Sequence, residues 1–256
     1  MSQPPVALIT GGGTGIGAAT ARRLVSDGFA VVLAGRRRDR LDAVLAELGD
    51  RATAVQLDVT DPDSVRVAVT GLNRLDVLVN NAGGAIGLGP VEEGDLDEWA
   101  AMYATNVLGT VRMIQAALPL LRTSPRATVV NISSIAGERV YAGGGGYVAA
   151  KHGESVVSET LRLELNGEHV RVIDIRPGMV HTEEFSLTRL HGDREAADKV
   201  YDGVDRPLVA DDVAACVAFA IGLPQHVNID TLVVKPVAQA APHLLHRGPI
   251  DWRDRW

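Results

Sequence analysis

Short runs of β-branched and aliphatic residues alternate with longer segments of helical period through most of the chain. The strand candidates are residues 6–9, 30–33, 53–57, 77–79, 128–132, 171–175 and 231–234. Each is bounded by turn-forming residues, and most are continuously apolar rather than alternating, as strands buried on both faces should be. Between them, residues 17–27, 38–48, 95–121 and 146–165 carry the pattern of helices with one apolar face. Parallel neighbours need a crossover, which a helix normally provides. The βαβα order therefore predicts an α/β fold, a Rossmann-like doubly wound parallel sheet of about seven strands with helices on both faces. No internal repeat or Pro/Ser-rich linker interrupts the alternation, so residues 1–256 are read as one domain. Residues 185–206 fit no strand, mix charges of both signs and follow a strand, which makes them a candidate lid over the carboxyl ends of the sheet.

Composition agrees with that architecture. The chain has 256 residues, 46% hydrophobic but only 4% aromatic, with 27 glycines, so its core is built from small aliphatic side chains. A compact chain of this length buries roughly 70–75% of the surface its unfolded form exposes, and needs neither disulfide nor structural metal for a core. The single cysteine, Cys216, lies in the apolar run Ala214-Ala215-Cys216-Val217-Ala218-Phe219 and reads as a small packed hydrophobe. That usage suits the reducing cytoplasm. No apolar run approaches the roughly 18–20 residues that span a bilayer. With 25 basic against 32 acidic residues the formal charge is −7, which argues against nucleic acid as a partner. The seven histidines have no metal-ligand spacing, so no metal is expected.

Candidate chemistry gathers where the predicted strands end. The first strand runs into Thr10-Gly11-Gly12-Gly13-Thr14-Gly15-Ile16-Gly17, with a helical pattern following at once. Glycines in that position let the backbone turn sharply and approach a pyrophosphate at the helix N-terminus. A dinucleotide fold that prefers NAD places an acid about 20 residues further on. Here the second strand ends Gly35-Arg36-Arg37-Arg38, and Asp39 falls beyond it. A guanidinium there pairs with a 2′-phosphate, so NADP is expected as the cofactor. Asp58-Val59 and Asn80-Asn81-Ala82-Gly83 close the third and fourth strands, at the edge where ligands of open sheets collect.

Ser134 closes the fifth strand, and Tyr147 and Lys151 stand four apart on one face of the following helix. Moving a hydride to or from a carbinol carbon requires a group that moves the hydroxyl proton. Free tyrosine, with a pKa of about 10, is a poor base near neutrality, and bringing it to 7 takes on the order of 4 kcal/mol. A neighbouring ammonium works in that direction.

Taken together, Thr10-Gly11-x-x-x-Gly15-x-Gly17, Asn80-Asn81-Ala82-Gly83, Asn106, Ser134, Tyr147-x-x-x-Lys151 and Pro177-Gly178 resemble the classical short-chain dehydrogenase/reductases over nearly the whole chain. The resemblance implies that Tyr147 is the general acid/base, that Ser134 polarises the substrate oxygen, and that Lys151 binds the nicotinamide ribose and lowers the tyrosine pKa. It gives Asn106 a relay water, Asp58 and Val59 the adenine, Asn80 a place in the central sheet, and Pro177, Gly178, Val180 and Thr182 the nicotinamide carboxamide. Gly11, Gly13, Thr14, Gly15, Ile16, Gly17, Arg36, Arg37, Asn80, Ala82 and Gly83 complete the expected cofactor contacts.

A narrower likeness lies in Gly35-Arg36-Arg37, Tyr141-Ala142-Gly143-Gly144, Glu184-Phe185-Ser186 with Arg189, Val227-Asn228-Ile229 and Pro236-Val237-Ala238-Gln239. These are similar to the bacterial NADP-dependent 3-hydroxy acid dehydrogenases, which act on serine, allo-threonine and related acids or the matching semialdehydes. It implies Arg189 as a substrate contact and a homotetramer. His181, Thr182 and a tail over residues 248–256 with Trp252 and Trp256 depart from that subgroup. The alternatives are a reductase of a bulkier ketone, such as a 3-oxoacyl, sugar or secondary-metabolite carbonyl, and an NADP-binding regulator without turnover. For Trp252 and Trp256, a subunit contact and local packing both stand open.

Overall fold

The computed structural model describes residues 3–252. In chain order the elements are β1 (Val6–Thr10), α1 (Gly15–Ser26), β2 (Ala30–Gly35), α2 (Arg38–Leu48), β3 (Ala52–Gln56), α3 (Pro62–Thr70), β4 (Val77–Asn80), α4 (Leu96–Tyr103), α5 (Gly109–Leu121), β5 (Thr128–Ile132), α6 (Gly145–Glu164), β6 (Arg171–Pro177), β7 (Val180–His181), α7 (Phe185–Arg189), α8 (Arg194–Lys199), β8 (Leu208–Val209), α9 (Ala210–Gly222), β9 (Thr231–Val234), β10 (Gln239–Ala241) and β11 (Leu244–Leu245). Seven strands form one sheet in the order β3-β2-β1-β4-β5-β6-β9, every pair parallel.

Alternate residues of each central strand feed opposite layers. Ala7, Ile9, Val31, Leu33, Val79, Ile173 and Ile175 pack against α1, α2 and α9. Leu8, Val32, Leu78, Val129 and Val172 pack on the other side against α3, α5 and α6. Each fully buried Leu or Ile contributes about 1.5–3 kcal/mol, so a two-sided sheet of this kind holds its register firmly.

Because β1 lies between β2 and β4, the chain reverses its winding beside the end of β1 and opens a crevice there. The seven main strands fall where the apolar runs predicted them, within one or two residues. The expected helix over 95–121 is instead two helices, separated by a π-helical turn, Ala104–Leu108. Asn106 is its cause: its Nδ2 donates to Met102 O at 2.7 Å, while Thr110 Oγ1 donates to Asn106 O at 2.8 Å. Such turns commonly mark functional positions. Among the described residues, no helix is long and apolar enough to cross a membrane.

The candidate lid consists of α7 and α8, the latter started by Asp193, whose side chain accepts from Ala196 N. The C-terminal segment straps across it. Arg247 donates to Asp202 O and to Val200 O, and Gly248 N donates to Gly203 O at 2.7 Å. Asp205 Oδ2 accepts from Ile250 N at 2.9 Å and from Trp252 Nε1 at 2.7 Å, and the Arg206 guanidinium lies 4.7 Å from the Trp252 ring centre. Trp252 therefore packs on the lid-bearing segment of its own chain. Trp256 lies outside the described residues.

Candidate active site

Two adjoining cavities occupy the crevice. The larger, about 1090 Å³, runs along the glycine loop and the ends of β2 to β4. The smaller, about 390 Å³, lies between the end of β5, the lid and the C-terminal strap. Ser133, Tyr147, Thr182 and Phe185 border both, so the two spaces meet at Tyr147.

The glycine loop is tied to the turn after β4. Thr10 Oγ1 accepts from Asn81 N and Ala82 N, both at 2.9 Å, and Asn81 Nδ2 donates to Thr10 O at 2.9 Å. Gly11 turns with φ +64, and a side chain at Gly17 would place its first carbon 2.2 Å from Gly11 O. No larger residue fits at that crossing. Thr14 makes no capping bond to α1, so the first-turn amides of the helix are open to an anion.

Gly11, Gly13, Thr14, Gly15, Ile16, Arg36, Arg37, Asp58, Val59, Ala82, Gly83, Tyr147, Lys151 and Thr182 all line the larger cavity. Gly17 does not; its part is the close packing just described. Asn80, expected among the cofactor contacts, is also absent from the wall. It is buried, and its Nδ2 donates to Asn131 Oδ1 at 2.9 Å, bridging β4 to β5. Its neighbour Asn81 takes the place on the wall. Pro177, Gly178 and Val180 line the smaller cavity.

The arginines that follow β2, of which Arg36 and Arg37 are the ones expected at a phosphate, are not equivalent. Arg37 is engaged in two bonds to Glu184, one of them Nη1 to Oε1 at 2.9 Å, and Arg40 stands 3.7 Å from the same carboxylate. The bond from Arg37 holds the Glu184 carboxyl below the usual range. Arg36 is exposed at the mouth of the cavity, where its charge helps to depress the Asp58 carboxyl, against the effect of burial and together with two bonds from Thr60. Arg38 faces away, paired to Asp42 at 2.8 Å.

Ser134, Tyr147 and Lys151 are all buried and converge where the cavities meet. Ser134 Oγ accepts from Ala136 N at 3.0 Å, which leaves its own proton to donate. The Tyr147 ring is wedged edge-on against Phe185, centroids 5.7 Å apart, and Lys151 Nζ lies 5.9 Å from the Tyr147 ring centre. Asn106 lines neither cavity. Both Nδ2 protons are taken by Gly84 O and Met102 O and Oδ1 accepts from Gly84 N, so the side chain serves structure, and its backbone carbonyl accepts from Thr110.

Arg189, on α7, projects over this group. Its Nη2 donates to Tyr141 Oη at 2.9 Å, and its guanidinium carbon lies 5.5 Å from the Tyr141 ring centre and 5.6 Å from that of Tyr147. Its Nε is buried with no partner among the described residues. Tyr141, the tether, was quoted in the sequence only as part of a motif. Burial pushes its hydroxyl up and Arg189 opposes that. Gln239, present in the sequence only within the stretch 236–239, also borders the smaller cavity, as do Pro242, Leu245 and Arg247, to which no sequence signal pointed. Cys216 is only partly buried, and burial raises its thiol, which leaves it unreactive.

Comparison with known proteins gives this geometry its context. The chain is 49% identical, over 92% of both chains, to a protein of Mycobacterium tuberculosis named only as an uncharacterized oxidoreductase. It is 40% identical to the NADP-dependent 3-hydroxy acid dehydrogenase YdfG of Salmonella typhi, covering 95% of this chain and all of that one. A solved structure described as the closed form of serine dehydrogenase complexed with NADP+ superposes with a TM-score of 0.89 at 39% identity, covering 94% of this chain and 99% of the other. Residues 5–190, which contain the glycine loop, Ser134, Tyr147 and Lys151, match the family model for short chain dehydrogenase, and the chain belongs to that family of oxidoreductases.

Proposed function

We propose that this chain is an NADP-dependent dehydrogenase of a small 3-hydroxy acid of the serine or allo-threonine type, working also in reverse on the carbonyl partner. The observation that carries the reading is Arg189: a guanidinium with a buried, unpartnered Nε in the same cavity as Ser134 and Tyr147. A cation so placed suits a substrate carboxylate whose hydroxyl-bearing carbon lies over Tyr147.

The larger cavity fits a dinucleotide phosphate on this chain's own features. Only glycine is tolerated where the loop meets α1, the helix N-terminus is uncapped, and Arg36 stands at the mouth. NADP, when bound, accepts or returns the hydride. The protein handles the proton. Ser134 donates to the substrate oxygen, and Tyr147 takes the hydroxyl proton in oxidation or returns it in reduction. The Lys151 ammonium, 5.9 Å from the Tyr147 ring centre, would hold the ribose hydroxyls of the bound cofactor. Asp58 and Val59 would hold the adenine, and Pro177, Gly178, Val180 and Thr182 the carboxamide. Asn106 holds Gly84 through its side chain and offers its carbonyl to the relay.

We read residues 1–256 as one domain acting in the cytoplasm as a homotetramer. Supporting the tetramer are exposed apolar side chains in two regions, Tyr103, Leu108, Val156 and Leu163 on α4, the π-helical turn and α6, and Phe219, Val233, Val237 and Leu244 on α9, β9 and the segment beyond it.

A second reading, a bulkier ketone as substrate, is favoured by the apolar walls that Leu88, Met179, Val200 and Leu245 give the smaller cavity. Following absorbance of the reduced cofactor with purified protein separates the two. Turnover of 3-hydroxypropionate, serine or allo-threonine above that of neutral secondary alcohols of similar size is expected. A preference for neutral, bulky carbonyls would transfer the assignment to the second reading, and tight NADP binding with no turnover of either class would refute both.

A further inference from the structure

Glu154 is a buried acid that the proposed reaction leaves unused. It lies three residues after Lys151 on α6 and is 1% exposed, and its Oε2 accepts from Lys151 Nζ at 2.6 Å. Ile132 O accepts a second ammonium proton at 3.0 Å. One proton of the three therefore remains for the cleft wall that Lys151 and Tyr147 share. A buried ion pair is weak evidence for stability, because desolvation consumes much of the attraction and an apolar pair of equal volume serves as well. Its presence on this one lysine asks for another account.

We infer that Glu154 is a positioning residue: it fixes the Lys151 ammonium beside Tyr147 and, through its charge, sets the pH at which the Tyr147 hydroxyl gives up its proton. The inference rests on the proposed acid/base role of Tyr147.

The charged and titratable groups around Glu154 are few. On its own helix Glu154 faces Lys151, on which Tyr147 acts in turn. From β6 comes Asp174, itself bonded by Ser133 Oγ and, at 2.8 Å, by Arg176 Nε. The end of β5 presents neutral partners, Ile132 O and Asn131, the latter bonded to Ser158 Oγ at 2.8 Å. The π-helical turn contributes the neutral amide of Asn106.

Burial pushes the Glu154 carboxyl up to about 7, with Lys151 opposing the shift and Asp174 adding to it. Burial alone would lower the Lys151 ammonium, but Glu154, Tyr147 and Asp174 carry it above its ordinary value, so it stays charged. Two states follow. With Glu154 ionised, its negative charge offsets the ammonium and disfavours the phenolate. With Glu154 neutral, the ammonium acts on Tyr147 unopposed. On this inference the protons of Glu154 and Tyr147 leave in coupled steps.

The test is Glu154→Gln, which keeps an oxygen acceptor for Nζ and removes the charge. Tyr147 ionisation is read by ultraviolet difference absorbance in the NADP-bound protein without substrate, with Tyr147→Phe as the blank. It is read again from the acidic limb of kcat/KM for oxidation. Both should move to lower pH by about one unit, the order of effect of one charge acting across a salt-bridged neighbour inside a protein. A fall of less than about half a unit, or any rise, would overturn the inference. A rise would mean that Glu154 serves only to keep Lys151 charged. Should the variant not fold, the unaltered protein still decides. Coupling makes its Tyr147 titration shallower than a one-proton curve, and a clean one-proton curve sinks the idea. The absorbance arm needs no turnover, so a wrong substrate assignment and a wrong role for Glu154 give different results.

Discussion

Replacing Arg189 by Met removes one cation from the substrate cavity at little cost in volume, and the structure sets the size of the effect. The guanidinium is held by Tyr141 Oη at 2.9 Å and lies over two aromatic rings, so it is already oriented before substrate arrives. Its buried Nε has no competing partner among the described residues. A hydrogen bond to a charged group contributes about 1.5–3 kcal/mol, and a preorganised guanidinium belongs at the upper end. Arg189→Met should therefore lower kcat/KM for a 3-hydroxy acid by about 3 kcal/mol, or roughly 150-fold. The backbone is unaffected, because Arg189 O, which accepts from Gly87 N at 2.9 Å, does not depend on the side chain. The control is the methyl ester of the same acid, which presents the same carbinol without the charge and should lose less than about threefold. Initial rates by cofactor absorbance, acid and ester side by side, provide the measurement. Equal losses for acid and ester would show that Arg189 supports the fold of the lid and does not bind a carboxylate.

Two further outcomes follow from the charges elsewhere. Arg36→Leu should raise KM for NADP about tenfold and leave KM for NAD nearly unchanged, an effect that shrinks at high salt because Arg36 is exposed; parallel changes for both cofactors would refute its assignment to the 2′-phosphate. Asp76 is fully buried, and although burial works against its charge, Arg74, Ser124 and the Val6 amide hold its carboxyl below the usual range. A folded-state value below the unfolded one of about 3.9 means that its stabilisation is complete above that pH and fades as pH falls through the folded value. Asp76→Asn should cost about 3 kcal/mol near neutrality and lower Tm by roughly 6–12 °C. The gap from the parent should narrow in acid, and a gap independent of pH contradicts the argument.

The strands were legible because two-sided burial leaves a mark in single residues. Leu8 and Ile9 face opposite layers and both must be apolar, so the run is unbroken. The helices were less so. α3 is capped by Asp61, whose side chain accepts from Asp63 N, with Pro62 in its first turn, but in nine residues it buries only Val65, Ala68 and Val69, and the exposed Val67 blurs that face in the sequence. The π-helical turn was invisible because periodicity drifts by only one residue across it, and its cause is a bond made by a single amide. Asn80 and Asn81 are equally polar, and only the alternation along β4 decides that the first enters the sheet and the second meets the glycine loop. Glu154 shares its sequence pattern with the solvent-facing acids of any helix. What distinguishes it is position on the buried face one turn from Lys151, which needs the packing of α6 on β5 and β6.

The same contrast separates reaction from substrate. The glycine loop, Ser134, Tyr147 and Lys151 lie inside the stretch that matches the family, residues 5–190. Their spacing is dictated by the chemistry: a hydroxyl donor, a proton carrier and an ammonium have to meet beside one cofactor, and the sheet edge offers one place for it. The walls of the smaller cavity obey no such rule. Val200, Tyr201, Gln239, Pro242, Leu245 and Arg247 come from beyond residue 190, delivered by the lid and by a strap that Arg247, Asp205 and Trp252 pin across it. In the proposed function these residues would meet the substituents of a substrate, where size and polarity can vary without disturbing proton or hydride transfer. Arg189 stands at the boundary, anchored by Tyr141 just ahead of α6 yet carried by the first helix of the lid. A change in the strap should therefore alter which substrate is accepted by reshaping the wall of the smaller cavity, while Ser134, Tyr147 and Lys151 keep their places and the chemical step is left intact.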